Sequence, residues 1–362
     1  MNVLRRLPLS KLLLLCALVV AIGVSATAIA LAVTGGQKPP AKPLAQAVHD
    51  ALAAPPVEGV SANVVLTNNL LEGANLAGEH GSGITSSPLV TGAEGRLWIA
   101  KDGRVRLELK SEKGDTNLIY DGKTVTIFDA AEDKVYRYTP STQSGTDATS
   151  TTDMHDSHGE APSVAKIEEA VAKLRKHADV AEAQPANVAG QPAYTLRVSP
   201  NEGGSLLGGA ELSFDANTGV PLRAAVYSST TSAPVIELAA TEISYGAVPD
   251  SVFEITPPSG SKIEKIEFGS GTGGSHTGSH EAPAVTTYGK GISSVHVAKT
   301  KAGKESGSSL EGLPKVNLGN GVSASELRTA LGTVLSFERA GQRYVVAGFV
   351  DPSAVEAIAK GL

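Results

Sequence analysis

The feature that most constrains this chain is a series of alternating apolar and polar runs broken by Asp-Gly pairs. In "GRLWIAKDGRVRLELK" (residues 95–110) Asp102-Gly103 separates two such runs, and in "NLIYDGKTVTIFDAAEDKVYRY" (117–138) Asp121-Gly122 does the same. Asp-Gly between period-2 segments is a strong local hairpin signal, because both central residues of the tight turn need positive φ. A two-residue loop at Asp102-Gly103 predicts Trp98 opposite Leu107 and Ala100 opposite Val105. Trp98, Ala100, Val105, Leu107 and Leu109 then share one face, with Arg104, Arg106 and Glu108 on the other beside Leu97 and Ile99. A longer loop swaps that pairing. At the second turn Leu118 is expected opposite Val125, with Ile127 further along the same face. Val135 opens the next apolar row, and Tyr136 and Tyr138 point away from it.

More sheet flanks these hairpins. "GVSANVVLTNNLL" reads as a first strand, and "AYTLRVS", "AELSFDANTGVPLRAAVYSS" and "VIELAATEISYG" resume the sheet, with Asn217-Thr218-Gly219 as a turn. Helical spacing is confined to two places. Leu44, Val48 and Leu52 predict a short amphipathic helix. Ser163 caps a second one, whose stripe is Val164, Ile167, Val171 and Leu174. About ten strands with a pair of helices between Ala41 and Gly260 give a sheet that tends to curl toward a barrel or half-barrel.

The N-terminus sets the compartment. Arg5, Arg6 and Lys11 precede an uncharged run over 12–33. As a helix at ~1.5 Å per residue that run reaches about 33 Å, enough for a ~30 Å hydrocarbon core. Ala28-Ile29-Ala30 and Ala30-Leu31-Ala32 also fit a small-x-small cleavage pattern. An uncleaved anchor and a cleaved signal are both open, and either exports the rest of the chain. The single cysteine, Cys16, lies in this run, so no intramolecular disulfide forms and the exported part is held by its core. The expected organisation is an anchor over 1–34 and a tether over 35–43. A half-barrel domain over 44–268 follows, with a polar insertion at about 139–162. A Gly/Ser linker over 269–287 leads to a small α+β module over 288–362. In that module "GISSVHVAKT" and "LPKVNL" read as strands and "GTVLSFERAGQRYVVAGFV" as a hairpin around Ala340-Gly341. "SASELRTAL" reads as a helix opened by Ser323 and Glu326, and "DPSAVEAIAKGL" as a helix capped by Asp351 with Pro352 first.

Chemistry-bearing motifs are scarce. No Gly-x-Ser-x-Gly elbow occurs, and the Gly-rich stretches do not join a strand to a helix as a phosphate loop does. His155, His158, Asp153 and Asp156 sit in the polar insertion, and His276 and His280 in the linker, with no rigid surround for a metal. His49 reads as a solvated helix residue. The net charge of −6 and the lack of mixed basic and aromatic stretches argue against nucleic acid. The residues therefore point to a non-enzyme with neither cofactor nor metal. A curled aliphatic sheet with a helix over it can instead enclose a groove for an apolar chain.

The runs "TNNLL", "GRLWIAKDGRVRLELKSEKGDTNLIYDGKTVTIFDAAEDKVYRY" and "VPDSVFEITPPSG" resemble the actinobacterial branch of the LolA-like family. Its relatives include the periplasmic lipoprotein carrier and sigma-factor regulators of the MucB/RseB type. "GTVLSFERAGQRYVVAGFVDPSAVEAIA" is similar to the C-terminal module of that branch. The resemblance implies an unclosed β-barrel with helices over a concave face that binds acyl chains. On this sequence the matching positions are Trp98, Val105, Leu107, Leu109, Leu118, Val125 and Ile127, and the helix stripe adds Ile167, Val171 and Leu174. The implied function is a membrane-tethered binder or carrier of lipid or lipoprotein acyl chains. The alternative is an envelope-stress regulator that contacts a membrane protein such as an anti-sigma factor. The insertion and the C-terminal module lie outside the minimal carrier.

Overall fold

A computed structural model describes residues 36–72, 74, 87–112, 114–130, 133–139, 161–254, 261–265, 284–301 and 313–362. The expected anchor with Cys16 lies outside the described residues. So do the core of the 139–162 insertion with its histidines, and His276 and His280.

Two sheets make up the fold. The larger contains β1 (Gly59–Asn68), β2 (Ala93–Ala100), β3 (Val105–Leu109), β4 (Thr116–Tyr120), β5 (Val125–Asp129) and β6 (Lys134–Tyr138). It continues with β7 (Ala178–Val180), β8 (Gln184–Val188), β9 (Gln191–Pro200), β10 (Leu207–Asp215), β11 (Pro221–Ser228), β12 (Pro234–Tyr245) and β13 (Lys262–Lys265). Its order is β13-β6-β5-β4-β3-β2-β1-β12-β11-β10-β9-β7, with β8 also on β9. Every pairing is antiparallel except β13 with β6. The sheet does not close on itself. It does bend: Ala189, in the β8–β9 turn, packs on the same buried cluster as Val64, Leu97, Leu107 and Leu109 near the middle of the strand order. We refer to the face carrying this cluster as concave and to the other as outer.

Among the described residues three α-helices accompany this sheet: α1 (Leu44–Ala53), the single turn α2 (Pro88–Thr91) and α3 (Val164–Leu174). Ser163 caps α3 by accepting the Lys166 N–H at 3.4 Å. α1 buries Leu44 and Ala47 and packs Val48 and Ala51 against Tyr194 and Phe214. Leu52, expected on that stripe, is 55 % exposed. Ala51, one residue earlier, makes a close approach instead. Gly219, with φ +70° in the β10–β11 turn, backs onto the Ala51 carbonyl so tightly that a Cβ there would collide with it. The contact therefore runs through small residues.

The first hairpin corrects the predicted register. The Gly103 N–H donates to the Ala100 carbonyl and the Ala100 N–H to the Arg104 carbonyl, both at 2.9 Å, and Gly103 has φ +85°. This is a three-residue loop, a turn followed by a left-handed glycine. One extra residue moves the pairing by one, so Trp98 stands opposite Arg106 and Leu97 opposite Leu107. Trp98 is therefore on the outer face, away from Val105, Leu107 and Leu109. At Asp121-Gly122 the expected face holds, but Leu118 pairs with Ile127 and Tyr120 with Val125. The turn there has four residues, closed by Asp121 Oδ1 accepting the Lys123 and Thr124 N–H groups at 2.8 and 2.7 Å.

The second sheet holds β14 (Ala284–Tyr288), β15 (Val295–Lys301), β16 (Lys315–Gly319), β17 (Val322–Thr329), β18 (Gly332–Arg339) and β19 (Gln342–Gly348), in the order β14-β15-β19-β18-β17-β16. β14 starts within the stretch expected to be linker. The helix α4 (Pro352–Lys360) closes its core with Val355 and Ala359, both 0 % exposed. "SASELRTAL" is strand β17, not a helix. Left-handed Asn320-Gly321 before it and a tight turn at Ala330-Leu331 after it leave only a strand's length, and both neighbours pair with it. Ladder pairing overrides a capping-box spacing that tertiary structure does not use. The two sheets meet where Leu206 N–H donates to the Phe349 carbonyl at 2.7 Å and Ala330 N–H to the Leu70 carbonyl at 3.0 Å.

Candidate functional site

Register places the concave side chains of β2–β6 in three cross-strand rows. One runs Ile99, Val105, Tyr120, Val125, Tyr138, and the next Leu97, Leu107, Leu118, Ile127, Tyr136. The third is Gly95, Leu109, Thr116, Asp129, Lys134. Two rows are thus apolar or aromatic and one ends in polar groups.

Burial falls across these rows. Leu97, Leu107 and Leu109 are at most 4 % exposed, and Leu89 of α2 with Ala189 packs on the cluster that contains them. Val105, Leu118, Tyr120, Val125, Ile127, Tyr136 and Tyr138 are all half-buried. The centre of the concave face is filled by the chain's own side chains, and the part toward β4–β6 is partly open. Across β3–β6 at ~4.8 Å spacing, with the two half-buried rows two residues apart, this area is about 14 by 7 Å between Cα positions. Leu107 and Leu109 are core, while Leu118, Val125 and Ile127 line the open part. Burial pushes the Tyr138 phenol up. At the polar end the Thr116 hydroxyl is buried without a hydrogen-bond partner, beside Asp129, which is 5 % exposed.

The helix positions lie elsewhere. α3 packs against α1 and β7, and its Val171 joins the Tyr194–Phe214 cluster. Ile167 is buried, and Leu174 is 44 % exposed. The expected helix stripe therefore covers the β7–β10 end of the sheet, not the rows of β3–β5. The tyrosines Tyr120, Tyr136 and Tyr138 complete the open area and were not singled out as site residues from sequence. Their alternation with Val135 carried the signal.

The outer face is built differently. The Arg106 guanidinium lies 5.3 Å from the Trp98 ring centroid and donates to the Val252 carbonyl, Glu108 and Asn117 at 2.8–2.9 Å. Across β9–β12 runs an ionic row. Arg197 and Arg223 hold Glu211 at 2.8 and 2.7 Å, and Arg223 also holds Glu237 at 2.7 Å, with the Glu237 side chain 3 % exposed. Burial acts to raise the Glu211 carboxyl, but hydrogen bonds from Arg223, Tyr227 and Arg197 outweigh it and hold the group below its ordinary range. An open cavity of about 570 Å³ at the β7 edge is lined by Arg175, Asp179 and Arg197 together with Ala178, Val180 and Ala181. Its two arginines are already paired with Glu182 and Glu211.

One Ser–His contact invites a catalytic reading. Ser294 Oγ is 3.2 Å from His296 Nε2, and Thr287 Oγ1 is 3.1 Å from Nδ1. The Ser294 hydroxyl, however, donates to the Gly291 carbonyl at 2.9 Å, so its proton is not directed at the imidazole. Among the described residues the ring nitrogens meet these two hydroxyls, and no carboxylate is hydrogen-bonded to orient the ring. The contact fastens a turn. Among the described residues no group of three or more His, Cys, Asp or Glu side chains is placed to hold a metal, and no helix is long and apolar enough to cross a membrane.

Residues 84–196 match a family described as predicted periplasmic protein (DUF2092). A search of curated proteins gives no match. Among solved structures the chain is similar to MucB in complex with MucA(peri), at 16 % identity, 87 % coverage of this chain, 94 % of that one and a TM-score of 0.42. It is similar to the MucA/MucB complex of Pseudomonas aeruginosa at 15 % identity, with 87 % and 95 % coverage and a TM-score of 0.40. A LolA superfamily protein from Nitrosomonas europaea matches at 8 % identity, with 87 % and 97 % coverage and a TM-score of 0.20. At these values the role of the open face rests on its own residues.

Proposed function

We propose that this chain is an extracytoplasmic, non-catalytic binding protein, tethered by its N-terminal apolar run, that takes an acyl chain of a lipid or lipoprotein on the open concave area of β4–β6. The carrying observation is the half-buried set Leu118, Val125, Ile127, Tyr120, Tyr136 and Tyr138, continuous with a packed aliphatic core. Burying about twelve methylenes there at ~0.8 kcal/mol each supplies on the order of 10 kcal/mol before the loss of ligand freedom is subtracted. No catalytic group is needed for this. The match of residues 84–196 to a predicted periplasmic family supports export, as does the basic flank before an apolar run.

The test is direct. The chain, purified from two hosts, is extracted with organic solvent for mass spectrometry and titrated with a spin-labelled fatty acid. Co-purifying acyl species and an immobilised label are expected. Clean extracts together with a freely tumbling label would remove the reading.

A second reading is that the protein reports occupancy of this face to a membrane protein. It is favoured by the hydrogen-bonded junction at Leu206–Phe349 and Leu70–Ala330, which ties the second sheet to the first. One similar protein, MucB, is known in complex with MucA. Pull-down from membranes with and without fatty acid discriminates: a partner whose capture is indifferent to the ligand argues for two unconnected roles.

A further inference from the structure

The open edges of the two sheets differ in how they are protected. β7 is three residues long, and Arg175 donates to its Val180 carbonyl at 3.3 Å. β8 carries Pro185. β13 has Lys262, Glu264 and Lys265 among its four residues. β16 starts with Lys315, breaks register between Asn317 and Gly319, and contacts α4. Short length, proline, charge, a bulge and a covering helix are the ordinary devices that stop a strand edge from pairing further.

β14 has none of them. Its sequence is Ala-Val-Thr-Thr-Tyr, rich in strand formers and without charge or proline. All five residues pair with β15 in unbroken register. Val285, Thr286, Thr287 and Tyr288 are exposed, Val285 by 55 % and Tyr288 by 38 %. Alternate residues of an antiparallel edge strand direct both N–H and C=O away from the sheet. Among the described residues no backbone hydrogen bond joins these outward groups to another element.

Charge selects between possible occupants. Residues 284–301 contain Lys290, Lys299 and Lys301 and no aspartate or glutamate. All three lysines are exposed, and Lys299 stands opposite Ala284 at the start of β14. A second copy pairing through β14 would bring two such lysine sets together. An extended segment with acidic side chains would instead meet cations at the two ends of β14, Lys299 and Lys301 at one and Lys290 at the other.

We infer that β14 is a docking edge for an acidic, extended polypeptide segment, which adds to the second sheet as a seventh strand and is held by backbone hydrogen bonds and by Lys290, Lys299 and Lys301. This is independent of the acyl-chain reading, since it uses the other sheet and none of the concave residues.

The experiment uses the full chain in mild detergent and a fluorescent peptide of alternating valine and glutamate, with the valine–lysine peptide as comparison. Anisotropy is expected to show the acidic peptide bound at least ~10-fold more tightly, with affinity falling as salt rises. Thr286→Pro removes a strand N–H and should abolish binding. The triple change Lys290→Glu, Lys299→Glu and Lys301→Glu leaves the backbone intact and should reverse the preference. Hydrogen exchange should show new protection confined to 284–288 in the presence of the acidic peptide. Equal binding of both peptides, or acidic-peptide binding untouched by both variants, would overturn the inference. So would sedimentation showing a dimer that Thr286→Pro converts to monomer, since the occupant would then be a second copy.

Discussion

Leu118 stands directly opposite Ile127 across β4 and β5, and both are half-buried in the middle row of the concave face. Toward β1 the row continues into Leu107 and Leu97, which are buried by the chain itself. The same aliphatic row is therefore core at one end and accessible surface at the other. That gradient makes fold and ligand binding separable by mutation.

At the accessible end, Leu118→Glu combined with Ile127→Glu places two carboxylates where an acyl chain would lie. We expect fatty-acid affinity to fall at least ~100-fold and stability in urea to fall by about 1–3 kcal/mol, because the two carboxylates are partly buried and face each other across the strands. A spin-label titration beside a urea curve checks both halves. Unchanged affinity would remove this face from the binding model.

At the buried end, Leu109→Ala should lower stability by about 2–5 kcal/mol, since Leu109 is 0 % exposed and its loss leaves a cavity. Gly95→Ala should also destabilise, by about 1–3 kcal/mol. Its Cβ would collide with the Glu108 carbonyl oxygen, which is ladder backbone and cannot move aside. Urea unfolding monitored by circular dichroism measures each.

Trp98 offers a spectroscopic check of the face assignment. It is the only tryptophan and lies on the outer face under the Arg106 guanidinium. Ligand entering the concave face should change tyrosine emission, through Tyr120, Tyr136 and Tyr138, and leave tryptophan emission nearly unmoved. Arg106→Ala should shift tryptophan emission without ligand. A large tryptophan response to fatty acid would place the ligand on the outer face.

The ionic row sets an acid limit. The Glu211 carboxyl is depressed in the folded state, so the unfolded chain binds the extra proton. The stabilisation is present above the unfolded glutamate value near ~4.3 and is lost as pH falls through the folded value. Glu211→Gln should lower stability at neutral pH and flatten its decline on acidification, read as urea midpoints at a series of pH values. Arg223→Met removes the guanidinium from nearly buried Glu237 and should lower stability by about 3–5 kcal/mol at neutral pH.

Much of this architecture is local and was legible in the chain itself. Period-2 alternation and the Asp-Gly, Asn-Thr-Gly and Ala-Gly turns mark most strands of the two sheets, but not β7, β8, β13, β14 or β17. Ser163 and Pro352 mark the starts of α3 and α4. These signals act over a few residues, through φ preference, capping and the pleat. Which side chains share a face was decided by tertiary structure, because one extra loop residue at Lys101–Gly103 moves Trp98 from the concave side to the outer one. β17 became a strand because partners on both flanks offered ladder hydrogen bonds that its capping-box spacing could not match. The place of α3, over α1 and β7 and not over β3–β5, depends on contacts distant in sequence. So does the place of β14, which among the described residues is an edge because of the order in which the strands assemble.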